Sequence, residues 1–563
     1  MNATQVACAA PDEVTPWHQN NWTKAMANVR KLQARIVKAT KEGRWNKVKA
    51  LQRLMVTSYS GKLLAVRRVT ENGGKKTPGV DKETWSTPGA KAAAVLSLRG
   101  HGYRPQPLRR IHIPKSNGKL RPLGIPTMKD RAMQALHLLG LDPVAETTAD
   151  PNSYGFRKHR STHDAMHQIY LATARTASAK WILEGDIKAC FDNIDHDWLL
   201  ANIPMDRKIL RAWLKSGYLE RGVFRDTEAG TPQGGIISPV LANMALDGLE
   251  DYIQQDYVNQ RARKAAKVNL IRYADDFVIT AATPEVAELA LLRVQDFLYE
   301  RGMELSEEKT RIVHLSEGFD FLGQTVREYN GKYLSRPSKK SCKALTSKVK
   351  DTIRANRAVK QEVLIALLNP IIRGWGNYHR ASAASSTFRK MDSRIWQKIW
   401  RWCRRRHPQK GPVWVKQRYF PQMHGPQQWW FTAKLKEGTR TLQKLAWIDI
   451  ERHTKIKSEA NPYDVEWADY FDRLLYDRMI TTLRGRDKLI NIWQRQQGTC
   501  PVCKTKITSE TGWHLHHIVP RASGGGDNPL NLIFKHPECH RQTHSRGTPA
   551  VSLEVAHPDE PSH

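Results

Sequence analysis

The sequence predicts a multidomain α/β protein that continues into a basic helical region and a small metal-holding unit. Three observations predict it. The chain has 563 residues, too many for one ordinary core and enough for three or four domains. Residues 100–330 alternate short β-like runs with helical stretches, the pattern of an α/β domain. Three of the seven cysteines, Cys500, Cys503 and Cys539, cluster with histidines near the C-terminal end, which indicates metal binding in a reducing compartment rather than a disulfide framework.

A hydrophobic content of 40% is sufficient for such cores, while a net charge of +35 and a pI near 9.9 go far beyond what solubility needs. Lys and Arg that neutralise phosphates release counterions, so a nucleic-acid partner is the economical reading. By composition alone, a ribosomal-type binder or a membrane-surface protein fits as well. The N-terminus lacks a signal-peptide pattern, and no apolar run approaches the ~20 residues of a membrane span. These features point to no membrane partner and to a cytoplasmic, nucleoid-associated protein.

In chain order, residues 1–20 read as a loose leader. Apolar residues then recur at helical spacing from Trp22 to Val69 (Val29, Leu32, Ile36, Ala39, then Val48, Leu51, Met55), which predicts two amphipathic helices in an N-terminal extension, 1–85. A Gly/Lys-rich break at 72–79 follows. The α/β unit spans 86–330. A basic, mostly helical region occupies 331–455; residues 331–460 carry 30 Lys and Arg against 7 Asp and Glu, with 8 of the 18 tryptophans. Basic side chains interleaved with aromatics suit backbone tracking and base stacking, although most of these tryptophans read as core. A helical linker, 456–485, leads to the Cys/His unit, 486–545, and a Pro-containing acidic tail, 546–563, reads as disordered.

The run Leu270–Ile279 sets Asp275 and Asp276 between two strand-forming stretches. A hairpin there holds both at a sheet edge. Because neighbouring strand residues face opposite ways, one of them, Asp275, is the principal metal ligand and Asp276 the auxiliary. The apolar run Trp181–Ile187 delivers Asp186 on another strand. Close carboxylates stay ionised when divalent cations lie between them. Two Mg²⁺ ions suit such a site, activating a primer 3′-hydroxyl and stabilising the leaving pyrophosphate. Tyr273-Ala274-Asp275-Asp276 alone is equally what an acidic turn would show; its neighbours decide the matter.

Those neighbours are Thr77–Asp81, Ile113–Pro126, Asp186–His196, Gly230–Pro239, Glu308–Thr310 and Phe319–Gly323. In this order they resemble the blocks of reverse transcriptases encoded by group II introns. The resemblance implies a right-hand polymerase, with fingers and palm built from antiparallel sheet and helices. It implies that Lys119 and Arg121 contact the triphosphate of an incoming dNTP. Phe191 would exclude a 2′-hydroxyl, Gln233 would touch the nucleotide and Lys309 would lie near the phosphates. Ile187 joins Asp186 and Asp275 around the Mg²⁺ ions, and 319–323 grips the primer.

Leu368–His379 resembles the signature of the family's maturase domain, which with the thumb is α-helical and binds the intron RNA; a generic template–primer clamp would carry the same charge. Further on, Cys500, Cys503, His536 and Cys539 have the spacing of a structural Zn²⁺ site. His516, His517, Asn531, His540 and His544 follow the order of an HNH endonuclease, a ββα-metal unit. By that resemblance His517 is the general base, Asn531 orients its imidazole, and His516, His540 and His544 hold the catalytic divalent cation. His540 competes with His536 for the zinc, with spacing in favour of His536. A zinc ribbon that only binds DNA is the plainer alternative. Together the parts imply RNA-directed DNA polymerase, maturase and endonuclease activities serving splicing and target-primed mobility, with group II intron RNA, target DNA and dNTPs as partners. A related enzyme recruited to defence or spacer acquisition, or a splicing cofactor, are the rival readings. The sequence leaves the oligomeric state open.

Overall fold

The computed structural model describes residues 17–545 apart from 115–117, 119, 232–233, 422–428, 436–437 and 485. Lys119, Gln233, most of the leader and the acidic tail lie outside the described residues.

The N-terminal extension holds three helices where two are predicted: Trp22–Lys41, Trp45–Thr57 and Tyr59–Glu71. The predicted apolar stripe is buried, but the helical periodicity conceals a second break. Gly43, at φ +65°, ends the first helix. Ser58 is extended and its side chain caps the third by accepting from the Gly61 amide, which satisfies an amide the helix leaves unpaired. These helices pack on the long helix Met128–Thr148, which runs into the polymerase-like core.

Two mixed α/β layers follow. A hairpin of Leu108–Pro114 and Leu120–Ile125 projects beside a short parallel pairing to Tyr218–Glu220. The central sheet is antiparallel, in the order Asn269–Tyr273, Asp276–Ala281, Trp181–Asp186, Arg311–His314. Its apolar face, including Leu183, Leu270, Phe277 and Ile279, packs on helix Pro284–Tyr299 and its neighbours. A three-stranded sheet, Phe319–Phe321, Gln324–Tyr329 and Lys332–Pro337, leads out of this unit.

The basic region has its own core, built by helices Lys339–Ala355, Gln361–His379, Ser385–Arg406 and Pro412–Tyr419. Six of its eight tryptophans lie in that core or pack against it, as expected for most of them. Trp402 is buried at 4% exposure, whereas Trp414 and Trp447 are 37% and 47% exposed and the other five are half-buried. In a region this basic, the tryptophans cap the edges of the small helical core and leave indole faces open to solvent. The C-terminal unit pairs His514–His517 with Leu532–Lys535 and closes with helix Pro537–Ser545, a ββα arrangement. Among the described residues no helix is long and apolar enough to cross a membrane.

Candidate active sites

The first site forms at the tip of the central sheet. Strand 181–186 pairs with 276–281 so that Asp186 lies directly opposite Asp276. Tyr273 pairs with Asp276 across the hairpin, leaving Ala274 and Asp275 as its two-residue turn. Ala274 takes a positive φ of 58°, and Gly155 comes so close that a Cβ there would sit 2.3 Å from the Ala274 nitrogen. The absence of a side chain at Gly155 therefore lets backbone pack directly against the turn. Buried Arg272 anchors the strand behind it through an ion pair to Asp247 and a hydrogen bond to Asn243 Oδ1.

Asp186, Ile187, Asp275, Arg121, Phe191 and Lys309 line one cavity of about 200 Å³. Asp276 does not line it. Strand alternation does not separate the two aspartates, because Asp275 belongs to the turn and Asp276 opens the strand. Ile187 is buried and its side chain has no donor atom, so its carbonyl is the group that could reach a cation. Burial and the neighbouring Asp186 charge push the Asp275 carboxyl up. Asp276 is pushed up to about 7 by burial and then by the charges of Asp275 and Asp186. Such crowding of carboxylates fits divalent cations, whose charge reverses the penalty. Lys309 Nζ already donates to Asp186 Oδ2 at 2.6 Å. Phe191 meets Phe156 edge-on at 6.1 Å, and the Thr231 amide donates to its carbonyl at 2.7 Å. Gly230, at φ +85°, allows that approach, since a Cβ would lie 2.6 Å from the Phe191 oxygen.

The second site lies in the ββα unit, where two clusters separate cleanly. Cys500, Cys503, His536 and Cys539 are buried, with ligand atoms within 4.8 Å of one another; His516, His540 and His544 form the other set within the same limit. His536 thus joins the thiols and His540 the imidazoles. Three sulfurs and one nitrogen are a donor set that fits Zn²⁺. His516 is pushed down to about 4 by burial and by the charges of Lys535, His540 and His544. His540 is pushed down to about 4 by burial and by His544. Both shifts favour the neutral imidazole that a metal ligand needs.

His517 faces a different partner from the one expected. Its Nε2 is 2.8 Å from Asp527 Oδ1, and Arg521 braces the same carboxylate at 2.8 Å. Asn531 makes no hydrogen bond to the imidazole. Its amide oxygen accepts from the Val519 amide at 2.7 Å, and its nitrogen donates to the Val519 and Gly526 carbonyls. Asn531 thus closes the loop that carries Asp527, the partner of His517. The expected direct contact between Asn531 and the imidazole is not made, and Asp527 is the candidate partner of His517 that sequence reasoning missed. A carboxylate ten positions after His517, just past three glycines, is the signal that could have found it.

Comparison with known proteins matches the domains that carry the two sites. Residues 17–98 match the N-terminal domain of reverse transcriptase and 113–326 the reverse transcriptase (RNA-dependent DNA polymerase) family. Residues 342–420 match the group II intron maturase-specific domain and 500–546 the HNH endonuclease family. Protein YkfC of Escherichia coli K12 is 33% identical over 324 residues, covering 50% of this chain and 85% of that protein. Group II intron-encoded protein LtrA of Lactococcus lactis is 32% identical over 363 residues, covering 53% of this chain and 60% of that protein. Maturase-like protein 1 of Euglena gracilis is 25% identical over 378 residues, covering 64% and 77%. The chain belongs to the group II intron-encoded reverse transcriptase and maturase family, and it joins an RNA-directed DNA polymerase to a C-terminal HNH endonuclease domain.

Proposed function

We propose that this protein binds its group II intron RNA, assists its splicing, and copies it into DNA from a target-DNA end that its own nuclease has cut. The observation that supports this most is the single cavity holding Asp186, Asp275, Arg121, Phe191 and Lys309 together. Asp186 and Asp275, with Asp276 and the Ile187 carbonyl beside them, would hold Mg²⁺, which when bound supplies Lewis-acid activation of the primer hydroxyl and charge neutralisation at the leaving group. The chain's own groups do the rest. Arg121 offers a planar fork to triphosphate oxygens. Lys309, now paired with Asp186, exchanges that carboxylate for a phosphate when nucleotide enters. The Phe191 ring occupies the space a 2′-hydroxyl would need. The test combines purified protein with an annealed RNA template, DNA primer, dNTPs and Mg²⁺. Extended cDNA is expected, and its absence sinks the polymerase reading.

Replacing Phe191 with alanine should open that space and raise the efficiency of rNTP incorporation relative to dNTP about tenfold or more, since a size misfit of one small group in a pocket is worth about 10- to 200-fold. Single-nucleotide extension with each substrate measures it; unchanged discrimination would reduce Phe191 to a packing residue.

In the nuclease, Asp527 fixes the His517 ring through Nε2. With that nitrogen donating, Nδ1 is the one left to accept a proton from water. His516, His540 and His544 would hold the divalent cation, and Cys500, Cys503, His536 and Cys539 a structural Zn²⁺. His517→Ala should lower DNA nicking by about 10²- to 10⁴-fold, the usual worth of a general base, while primer extension on a pre-annealed template continues. Asp527→Asn should cost about 10- to 100-fold, as losing an orienting partner does. Both are read from strand-specific nicking of a labelled target duplex, and equal nicking by His517→Ala would remove the base assignment.

A further inference from the structure

The basic helical region contains a cleft that the polymerase and nuclease readings do not use. It measures about 360 Å³ and is walled by Trp396, Trp429, Trp430 and Trp447, with Arg389 and Lys444 at its rim. The volume falls within the range of ligand pockets, and such pockets combine apolar walls with a few placed polar groups. The walls are held from beneath. Both oxygens of buried Asp392 accept backbone amides, from Leu445 at 2.8 Å and Ala446 at 2.9 Å, which fixes the turn that carries Trp447. The Trp430 indole donates to the Leu442 carbonyl. Trp396 stacks on Trp400 with planes 9° apart.

The faces are not equivalent. Lys416 covers Trp429 at 3.9 Å, and Lys444 stands 5.2 Å from the Trp430 ring centre. Trp447 is 47% exposed, with its ring centre 6.1 Å from that of Trp430. It is thus an aromatic platform held rigidly by backbone, open on one side and flanked by cations. The region that holds it, residues 331–460, carries 30 Lys and Arg against 7 Asp and Glu, which favours a polyanion over an apolar peptide. A polyanion with flat π-faces is a single-stranded nucleic acid.

We propose that this cleft captures one unpaired nucleobase, stacked on Trp447, while Arg389 and Lys444 take the adjoining phosphate. The inference rests on the RNA-binding reading of the maturase region and adds a defined contact to it. The cleft reads an extruded base by shape and stacking, which suits a structured RNA whose loops and bulges splay bases out.

The test measures binding of the full-length protein to a fluorescent oligoadenylate and to an abasic oligomer of equal length and charge, at about 0.2 M salt to suppress phosphate-only binding. Wild type is expected to prefer the base-bearing oligomer about tenfold, the size of one stacked base. Trp447→Ala should lose that preference and keep the abasic affinity, and Trp447→Phe should retain most of it. Arg389→Ala should weaken both oligomers alike and shallow the salt dependence by about one ion. An oligodeoxyadenylate arm identifies the source: a ribo preference assigns the cleft to RNA, and equal binding assigns it to either strand. A preference that survives Trp447→Ala, or a wild type that binds base-bearing and abasic oligomers equally, overturns the cleft. A wild type that binds neither overturns the cleft together with the RNA-binding reading beneath it.

Discussion

Asp275→Ala is expected to lower RNA-templated primer extension about a thousandfold (~4 kcal/mol), because a cation-holding carboxylate supports several kcal/mol of transition-state charge stabilisation. Asp186→Ala should match it, since both line the cavity that Arg121 and Lys309 also face. Asp276→Asn should be milder, within about tenfold of wild type. Asp276 lies opposite Asp186 in the sheet register yet outside that cavity, and a neutral amide there removes a carboxyl that burial, and then the charges of Asp275 and Asp186, push up to about 7. The measurement is turnover at saturating Mg²⁺, with template–primer affinity measured alongside to show that the fold and the nucleic-acid surface are unchanged. Asp276→Asn falling below Asp275→Ala would reverse the assignment of principal and auxiliary ligand; full activity in Asp275→Ala would end it.

What the sequence made legible follows from which physical signals are local. Asp186 and the Asp275–Asp276 pair were readable because short apolar runs flank them and strands deliver residues to a sheet edge. Strand alternation distinguishes the two aspartates in the sequence, whereas the structure puts Asp275 in the turn and Asp276 at the head of the strand, a distinction that rests on the pairing of Tyr273 with Asp276. His540 and His544 share a helix face four residues apart, so their joining of His516 was readable, and geometry places His536 with the thiols. Asp527 was not visible, because its position depends on a loop closed by the Asn531 amide bonding to Val519 and Gly526. The third N-terminal helix was hidden for a related reason: the apolar stripe continues through Ser58, and only the backbone turn there breaks it. Tryptophan burial was legible for most of the indoles, which lie in or against the small basic core; the exposure of Trp414 and Trp447 was not, since indoles at its edge carry the same sequence pattern as indoles inside it.

Cys500→Ser is expected to abolish zinc binding and to loosen much more than the nuclease unit. Structural zinc is worth about 10–16 kcal/mol of apparent binding free energy in small folds, comparable to the whole stability of a domain. Here the knuckle also carries a long-range seam to the N-terminal helices. Buried Trp17 donates from Nε1 to Glu538 Oε1 at 2.8 Å, Thr23 donates to the Cys503 carbonyl at 2.6 Å, and Gln542 donates to the His18 carbonyl. Lys91 Nζ lies 3.9 Å from Glu538, and Arg541 3.4 Å from Glu71. Each acceptor from the knuckle side sits on or beside a thiol ligand, so loss of the metal removes the scaffold that holds them. Limited proteolysis should therefore open residues 17–23 together with 486–545, nicking should vanish, and primer extension should fall by no more than about threefold, because the palm cavity lies on other elements. Cys342→Ser, at a half-buried cysteine outside the cluster, should keep its zinc and its protection. Normal zinc content in Cys500→Ser would contradict the ligand set. Loss of zinc with residues 17–23 still protected would show instead that the seam holds without the knuckle, since the hydrogen bonds that cross it need the metal only if the metal positions their acceptors.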